Sequence, residues 1–165
     1  MKWTIAILGV LFMVIACQEE QTQNTIVAQG KWLAGDEQEQ INAIEQQFRG
    51  FDMAMVETGY RYQELYWAGA DENWEYAAYQ LKKMKLAIDN GLKRRPKRAA
   101  SAQHFLSYVI PEIKQTIAKE DKALFDEKFK MLTQNCNNCH AMEKVPFFTV
   151  KAPINRLSPI RKDTL

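Results

Sequence analysis

Residues 36 to 65 read DEQEQINAIEQQFRGFDMAMVETGYRYQEL, and the spacing of their apolar side chains decides the fold class. Ile41, Ile44, Phe48, Phe51, Met55, Thr58, Tyr62 and Leu65 step by three and four, which places them on one face of a helix. Asp36 stands where an N-cap is needed, so the stretch predicts one long amphipathic helix, bent at Gly50 or Gly59. The same rhythm recurs downstream. Trp74, Ala77, Leu81, Met84, Ile88 and Gly91 make a second stripe, between a cap at Asp71 or Asn73 and a breaker near Asn90-Gly91. Ala102, Leu106, Val109, Ile113 and Ile117 make a third, which Pro111 should kink or restart. A fourth opens near Asp121 and carries Phe125, Phe129, Leu132, Cys136 and Cys139. Helices of about 20 residues with one apolar stripe each and short connections are best satisfied as an all-α fold, an antiparallel four-helix bundle. Beyond it, Phe147-Phe148-Thr149-Val150 reads as a short β-like piece that packs back as a strap, in a segment punctuated by Pro146, Pro153 and Pro159.

Composition agrees with a single small domain. A chain of 165 residues, 47% hydrophobic and 25% charged, has enough apolar material for one core and no room for a second large one. A net charge of +2 argues against a dedicated nucleic-acid binder, and three cysteines cannot frame a disulfide-stapled miniprotein. No glycine-rich phosphate loop, βα alternation or internal repeat competes with the helical reading.

The amino-terminal segment reads as an address. Thr4 to Ala16 is an apolar run that ends abruptly at Cys17-Gln18-Glu19-Glu20. It falls short of the about 20 residues needed to span a bilayer and fits the hydrophobic region of a secretory signal. Val14-Ile15-Ala16-Cys17 resembles a bacterial lipobox, which implies cleavage before Cys17, acylation of that cysteine and attachment to a lipid membrane outside the cytoplasm, facing the periplasm or at the cell surface. Residues 1–16 are then a lipoprotein signal peptide and 17–36 a flexible, Gln- and Glu-rich tether. Residues 37–142 make the helical domain and 143–165 the proline-containing carboxy-terminal strap.

The chemistry-bearing stretch is Cys136-Asn137-Asn138-Cys139-His140, the C-x-x-C-H signature for covalent attachment of one c-type haem. Cysteines at i and i+3 lie on one side of a helical turn, so both thiols can reach the vinyl groups along one porphyrin edge. Histidine at i+4 follows on that side and can direct a ring nitrogen at the iron. At the residue frequencies of this chain the pattern would arise by accident in roughly six of ten thousand such sequences. The competing redox dithiol wants its first cysteine at a helix N-terminus after a strand, where the dipole lowers the thiol pKa; here the pair falls at a helix C-terminus. Zinc would need a fourth ligand from a chain with no spare cysteine.

With a bundle and this signature on its last helix, the chain resembles the class II cytochromes c, the cytochrome c-prime group. More narrowly, Tyr66-Trp67-Ala68-Gly69, Asn73-Trp74, Leu132-Thr133 and Phe148-Thr149-Val150 are similar to a set of little-characterised bacterial haem-attachment domains, over residues 51 to 155. The resemblance implies a haem held inside a four-helix bundle, attached near the end of the last helix through Cys136 and Cys139 with His140 as axial ligand. It also allows a homodimer.

The sixth iron position sets the role. A methionine there would raise the reduction potential and make an electron carrier serving a redox partner protein; an open, apolar distal side would admit a diatomic gas such as nitric oxide or carbon monoxide. Met55 lies on the inward stripe of the first helix, from which the distal ligand comes in cytochromes of this shape; Met53 points elsewhere and Met84 faces inward from the second helix. His104 falls opposite the Ala102, Val109, Ile113 stripe and reads as surface. No distal His/Arg pair marks a peroxidase. Tyr62, Tyr66, Trp67 and Trp74 read as lining the haem pocket and core, and Lys82, Lys83, Lys85, Lys93, Arg94, Arg95, Lys97 and Arg98 as a cationic patch able to steer an acidic partner or rest on anionic headgroups.

Overall fold

The computed structural model describes residues 30 to 162; the expected signal peptide of residues 1–16, Cys17 and most of the expected tether lie outside them. Among the described residues the fold is all-helical. The elements are α1 (Glu37–Phe48), α2 (Phe51–Ala70), α3 (Trp74–Arg94), a 3-10 turn (Pro96–Arg98), α4 (Ala99–His104), a π turn (Phe105–Val109), α5 (Ile110–Ala118) and α6 (Lys122–Met142). The chain divides into two compact units, the second of which is Phe48–Leu165; α1 belongs to the first and buries none of its side chains. No described helix is long and apolar enough to cross a membrane.

The expected single helix from Asp36 to Leu65 is broken between Phe48 and Phe51. Arg49 adopts a left-handed φ of 56° and Gly50 is extended, while Asp52 accepts from Gly50 N at 3.0 Å and pairs with Arg49 at 2.5 Å. Gly59, the other candidate hinge, continues the helix undisturbed. Gly91, expected as a breaker, also lies inside its helix, where its bare Cα lets Phe51 and Ala54 of α2 approach.

Four helix ends close on a left-handed residue that is not glycine: Arg49, Glu72, Glu120 and Lys144. Such a residue costs about 1 kcal/mol relative to glycine, so packing has to hold these ends. After α2, Glu72 N donates to Gly69 O and Asn73 N to Ala68 O, the paired bonds of a Schellman ending. Asn73 then caps α3 by accepting from Tyr76 N, so one tight corner ends one helix and starts the next. Pro111 acts as expected: without an N–H it cannot continue the ladder, and the turn before it widens, Ile110 N bonding five residues back to Phe105 O.

α2, α3, the α4 to α5 run and α6 share one core in which Leu65, Met84, Val109, Ile113 and Leu132 are fully buried and Phe125 nearly so. α2 packs most extensively on α3. Against α6 its register is explicit. Followed backwards from Gly69 through Tyr66 to Tyr62, α2 meets Phe125, then Phe129, then Thr133, with Tyr62 to Phe129 ring centroids 4.8 Å apart and Tyr62 Oη 2.7 Å from Thr133 Oγ1.

Candidate functional site

α6 starts where its sequence says it should: the Asp121 side chain accepts from Leu124 N at 2.9 Å. Phe125, Phe129 and Leu132 drive one face into the core, and continuing that face carries Cys136 with it, packed against the same cluster. Cys136, Cys139 and His140 occupy the last two turns. The helix then closes with Lys144 N on Ala141 O at 3.0 Å and Val145 N on His140 O at 2.9 Å. This reversal sends residues 146 to 150 back along α6. No strand forms there, which corrects the β-like expectation for Phe147-Phe148-Thr149-Val150, but the segment does return to the helix. Asn137 takes the part of a partner strand: its Nδ2 donates to Val150 O at 3.0 Å and its Oδ1 accepts from Val150 N at 2.7 Å.

The far end of the strap is tied as well. Arg156 donates to both carboxylate oxygens of Asp71 at 2.8 and 2.6 Å and lies over the Trp67 ring, 5.5 Å from its centroid. These bonds, with the backbone N–H of Lys162, hold the Asp71 carboxyl below its ordinary value. From Val150 to Arg156 an extended chain covers about 20 Å, and from Asn137 down to the Phe125 end α6 covers nearly as much.

Both thiols are free. Burial pushes Cys136 up to about 12, with Cys139 beside it adding to the shift, and burial also raises Cys139 against the opposing pull of Ser101 and Arg98. A disulfide oxidoreductase needs the reverse, a thiol lowered toward neutrality. What the site holds instead is a pair of free, partly buried thiols separated by one helical turn, Cys136 packed against the core.

His140 Nδ1 lies 2.6 Å from Phe148 O. A carbonyl oxygen only accepts, so Nδ1 carries a proton, and in the neutral ring Nε2 then keeps its lone pair. This is how a metal-binding imidazole is oriented: the far nitrogen is committed to a backbone acceptor and the near one is free to ligate. Thiols that can add to two vinyl groups, followed by an imidazole in this tautomer, fit a covalently held haem. Among the described residues no three His, Cys, Asp or Glu side chains gather around one point to hold a bare metal ion.

The other candidates separate clearly. Met55 is half-buried against the core, Met53 is exposed and Met84 is fully buried. Carrying the α2 to α6 register two turns beyond Tyr62 sets Met55 level with the Cys139-His140 end, since seven helical residues span about 10 Å. His104 is exposed and stacks on Tyr108 at 5.2 Å. Tyr62 reaches the site, through Thr133 one turn before Cys136, and burial pushes its hydroxyl up to about 12. Trp67 and Trp74 sit at the opposite end, against Arg156 and Phe125, so the aromatic residues expected to line the pocket and core divide between the two ends of the core.

The cationic run is partly spent locally, Lys85 on Asp89 and Lys83 over Tyr79, while Arg98 and Ser101 both bond Glu143, which clasps the start of α4 to the end of α6 beside Cys139. Sequence reasoning missed Asn137, Glu143 and Ser101. Their contacts join residues 13 to 45 positions apart through side chains with no periodic signature. A cavity of about 490 Å³, lined by Lys85, Leu92, Gln103 and Leu106 among others, includes none of the motif residues. No family model matches the chain, and comparison with curated proteins and with solved structures gave no match either.

Proposed function

We propose that this chain is a membrane-anchored c-type cytochrome that moves single electrons outside the cytoplasm. The observation that carries the reading is the placing of His140: immediately after two free thiols on one helical turn, with Nδ1 bonded to Phe148 O. In this reading α2, α3, the α4 to α5 run and α6 form an antiparallel four-helix bundle. Cys136 and Cys139 hold one haem c by thioethers near the end of α6, and His140 is its axial ligand. When bound, the haem supplies a one-electron couple at its iron.

The residues of this chain then do three things. The two cysteines and His140 fix position and orientation. The Leu132, Phe129 and Tyr62 side chains keep water from the buried side, which favours the less charged state and raises the potential. Met55, on the helix facing α6 and level with His140, is the candidate sixth ligand. Acylated Cys17 would anchor the protein to the membrane while residues 18 to 36 give it reach toward a redox partner. The chain is read as a carrier, not an enzyme.

Spectra of holoprotein made in cells competent for cytochrome maturation test this. The expected result is a denaturation-resistant haem stain, the added mass of one porphyrin on the Cys136 to His140 peptide, and low-spin iron with a sulfur-to-iron band that Met55→Ala removes. High-spin ferric iron that readily binds carbon monoxide once reduced would replace electron transfer by diatomic gas binding. Absence of covalent haem would overturn both. A mature chain that does not begin at acylated Cys17 would remove the anchor alone.

A further inference from the structure

Within the motif, the two residues between the cysteines are not equivalent. Asn138 is exposed and makes no side-chain hydrogen bond, whereas Asn137 spends both ends of its amide on Val150, 13 positions ahead. One side chain satisfies the whole peptide valence of one strap residue, which fixes that residue in all directions at once.

The consequence falls on His140. Asn137 and His140 are i and i+3 on α6 and therefore share a face. Val150 and Phe148 are i and i+2 on the returning chain, so the two contacts of that helix face fall on one short stretch of it. Asn137 holds Val150, and Phe148, two residues earlier, presents its carbonyl to His140 Nδ1 at 2.6 Å. The near side of Phe148 is held too, by its own N–H on Val145 O at 3.1 Å, and Val145 N is seated on His140 O. The acceptor is thus bracketed between the helix end and the Asn137 clasp. Phe148 and Thr149 have exposed side chains; beyond the clasp the stretch is held by the Val150 side chain against the core and by Thr149 Oγ1, which donates to Pro146 O at 3.1 Å.

We propose that Asn137 is a positioning residue for the axial ligand: by clasping Val150 it holds the strap so that the Phe148 carbonyl keeps the proton on His140 Nδ1 and leaves Nε2 directed at the iron. The proposal rests on the haem reading above. Its chemistry is definite. A hydrogen bond accepted from Nδ1–H makes the imidazole a stronger donor, which favours the ferric state; releasing the strap weakens that donation and raises the reduction potential.

The test compares Asn137→Ala, Asn138→Ala and Val150→Pro in the full-length holoprotein. Val150→Pro removes the N–H that Asn137 Oδ1 accepts without touching the attachment motif, so it reports even where Asn137→Ala fails to mature. Asn137→Ala and Val150→Pro are each expected to raise the potential by about 59 mV, a tenfold change in a one-electron equilibrium. They should also shift the EPR g-values of the ferric iron, and Asn138→Ala should change neither. In Asn137→Ala the Val150 amide should exchange with deuterium at least tenfold faster than in the parent. An Asn137→Ala protein whose Val150 amide is released while potential and g-values stay at those of the parent overturns the proposal and leaves the haem reading intact. So does equal behaviour of the two asparagine variants. Should no variant or parent carry haem, the Proposed function fails, and nitrogen-15 NMR of His140 in the same full chains still decides the matter: the Nδ1–H tautomer must predominate in the parent and be lost in Asn137→Ala, and its persistence refutes the clasp.

Discussion

Replacing Gly69 by alanine should destabilise the protein, although alanine is the better helix former. A Cβ at Gly69 would fall 2.0, 2.4 and 2.5 Å from three atoms of the Phe125 ring. Phe125 is 1% exposed and its ring lies 5.8 Å from those of both Trp74 and Phe129, so it has nowhere to swing. Overpacking of this severity costs about 3 kcal/mol, and the gain in helix propensity returns about 1, leaving a net loss of about 2 kcal/mol. For a domain of this size that lowers Tm by about 8 °C. Gly59, on the same helix, supplies the control, because a Cβ there meets nothing within 4 Å. Gly59→Ala keeps only the propensity gain and should raise Tm by about 3 °C. Thermal unfolding followed by circular dichroism, with urea titration as a second measure, separates the two. A Gly69→Ala protein as stable as the parent, or two variants that shift together, would show that α2 and α6 do not approach as closely as this register requires.

Three further outcomes are expected. The Arg156 to Asp71 clamp is partly buried, so Arg156→Met should cost about 1 to 2 kcal/mol and expose the chain after residue 150 to limited proteolysis. Because Arg156 lowers the Asp71 carboxyl beneath its ordinary 3.8, the clamp's contribution is present above that pH and disappears as pH falls through the lower folded value; the Arg156→Met and parent stabilities should converge there. Tyr62 behaves with the opposite sign: with its hydroxyl pushed from 10.0 up to about 12, stability holds below pH 10 and falls as pH rises toward 12, and absorbance titration at 295 nm should find Tyr62 among the last tyrosines to ionise, a feature lost in Tyr62→Phe. In chain made without haem-attachment machinery, iodoacetamide at pH 8 should alkylate Cys139 before Cys136, since Cys136 is the more deeply buried thiol; equal rates by peptide mass mapping would contradict the packing of Cys136 on the core.

The amino-acid sequence by itself determined the helical class, the four apolar stripes of the second compact unit and the spacing of Cys136, Cys139 and His140. Each is a local statement: a step of three or four residues, a capping Asp121 or Asn73, a spacing of two thiols and an imidazole over one turn. Those features are legible because short-range geometry enforces them wherever the chain goes. The helix ends were less legible. Arg49, Glu72, Glu120 and Lys144 occupy the left-handed positions where glycine would have announced a stop, while Gly59 and Gly91, which looked like breaks, stay inside helices. Packing alone chose between them, Gly91 being needed where Phe51 and Ala54 crowd α3.

What only the tertiary structure decided is how the site is held. Nothing in the order of residues says that Asn137, and not Asn138, reaches Val150, that Glu143 joins Arg98 and Ser101, or that the strap is tied to Asp71 through Arg156. These bonds run between segments brought together by the burial of Leu65, Phe125 and Leu132, and a hydrogen bond carries no periodicity from which it can be read in advance. The motif names the atoms that can bind; the returning strap determines which nitrogen of His140 is free to do so.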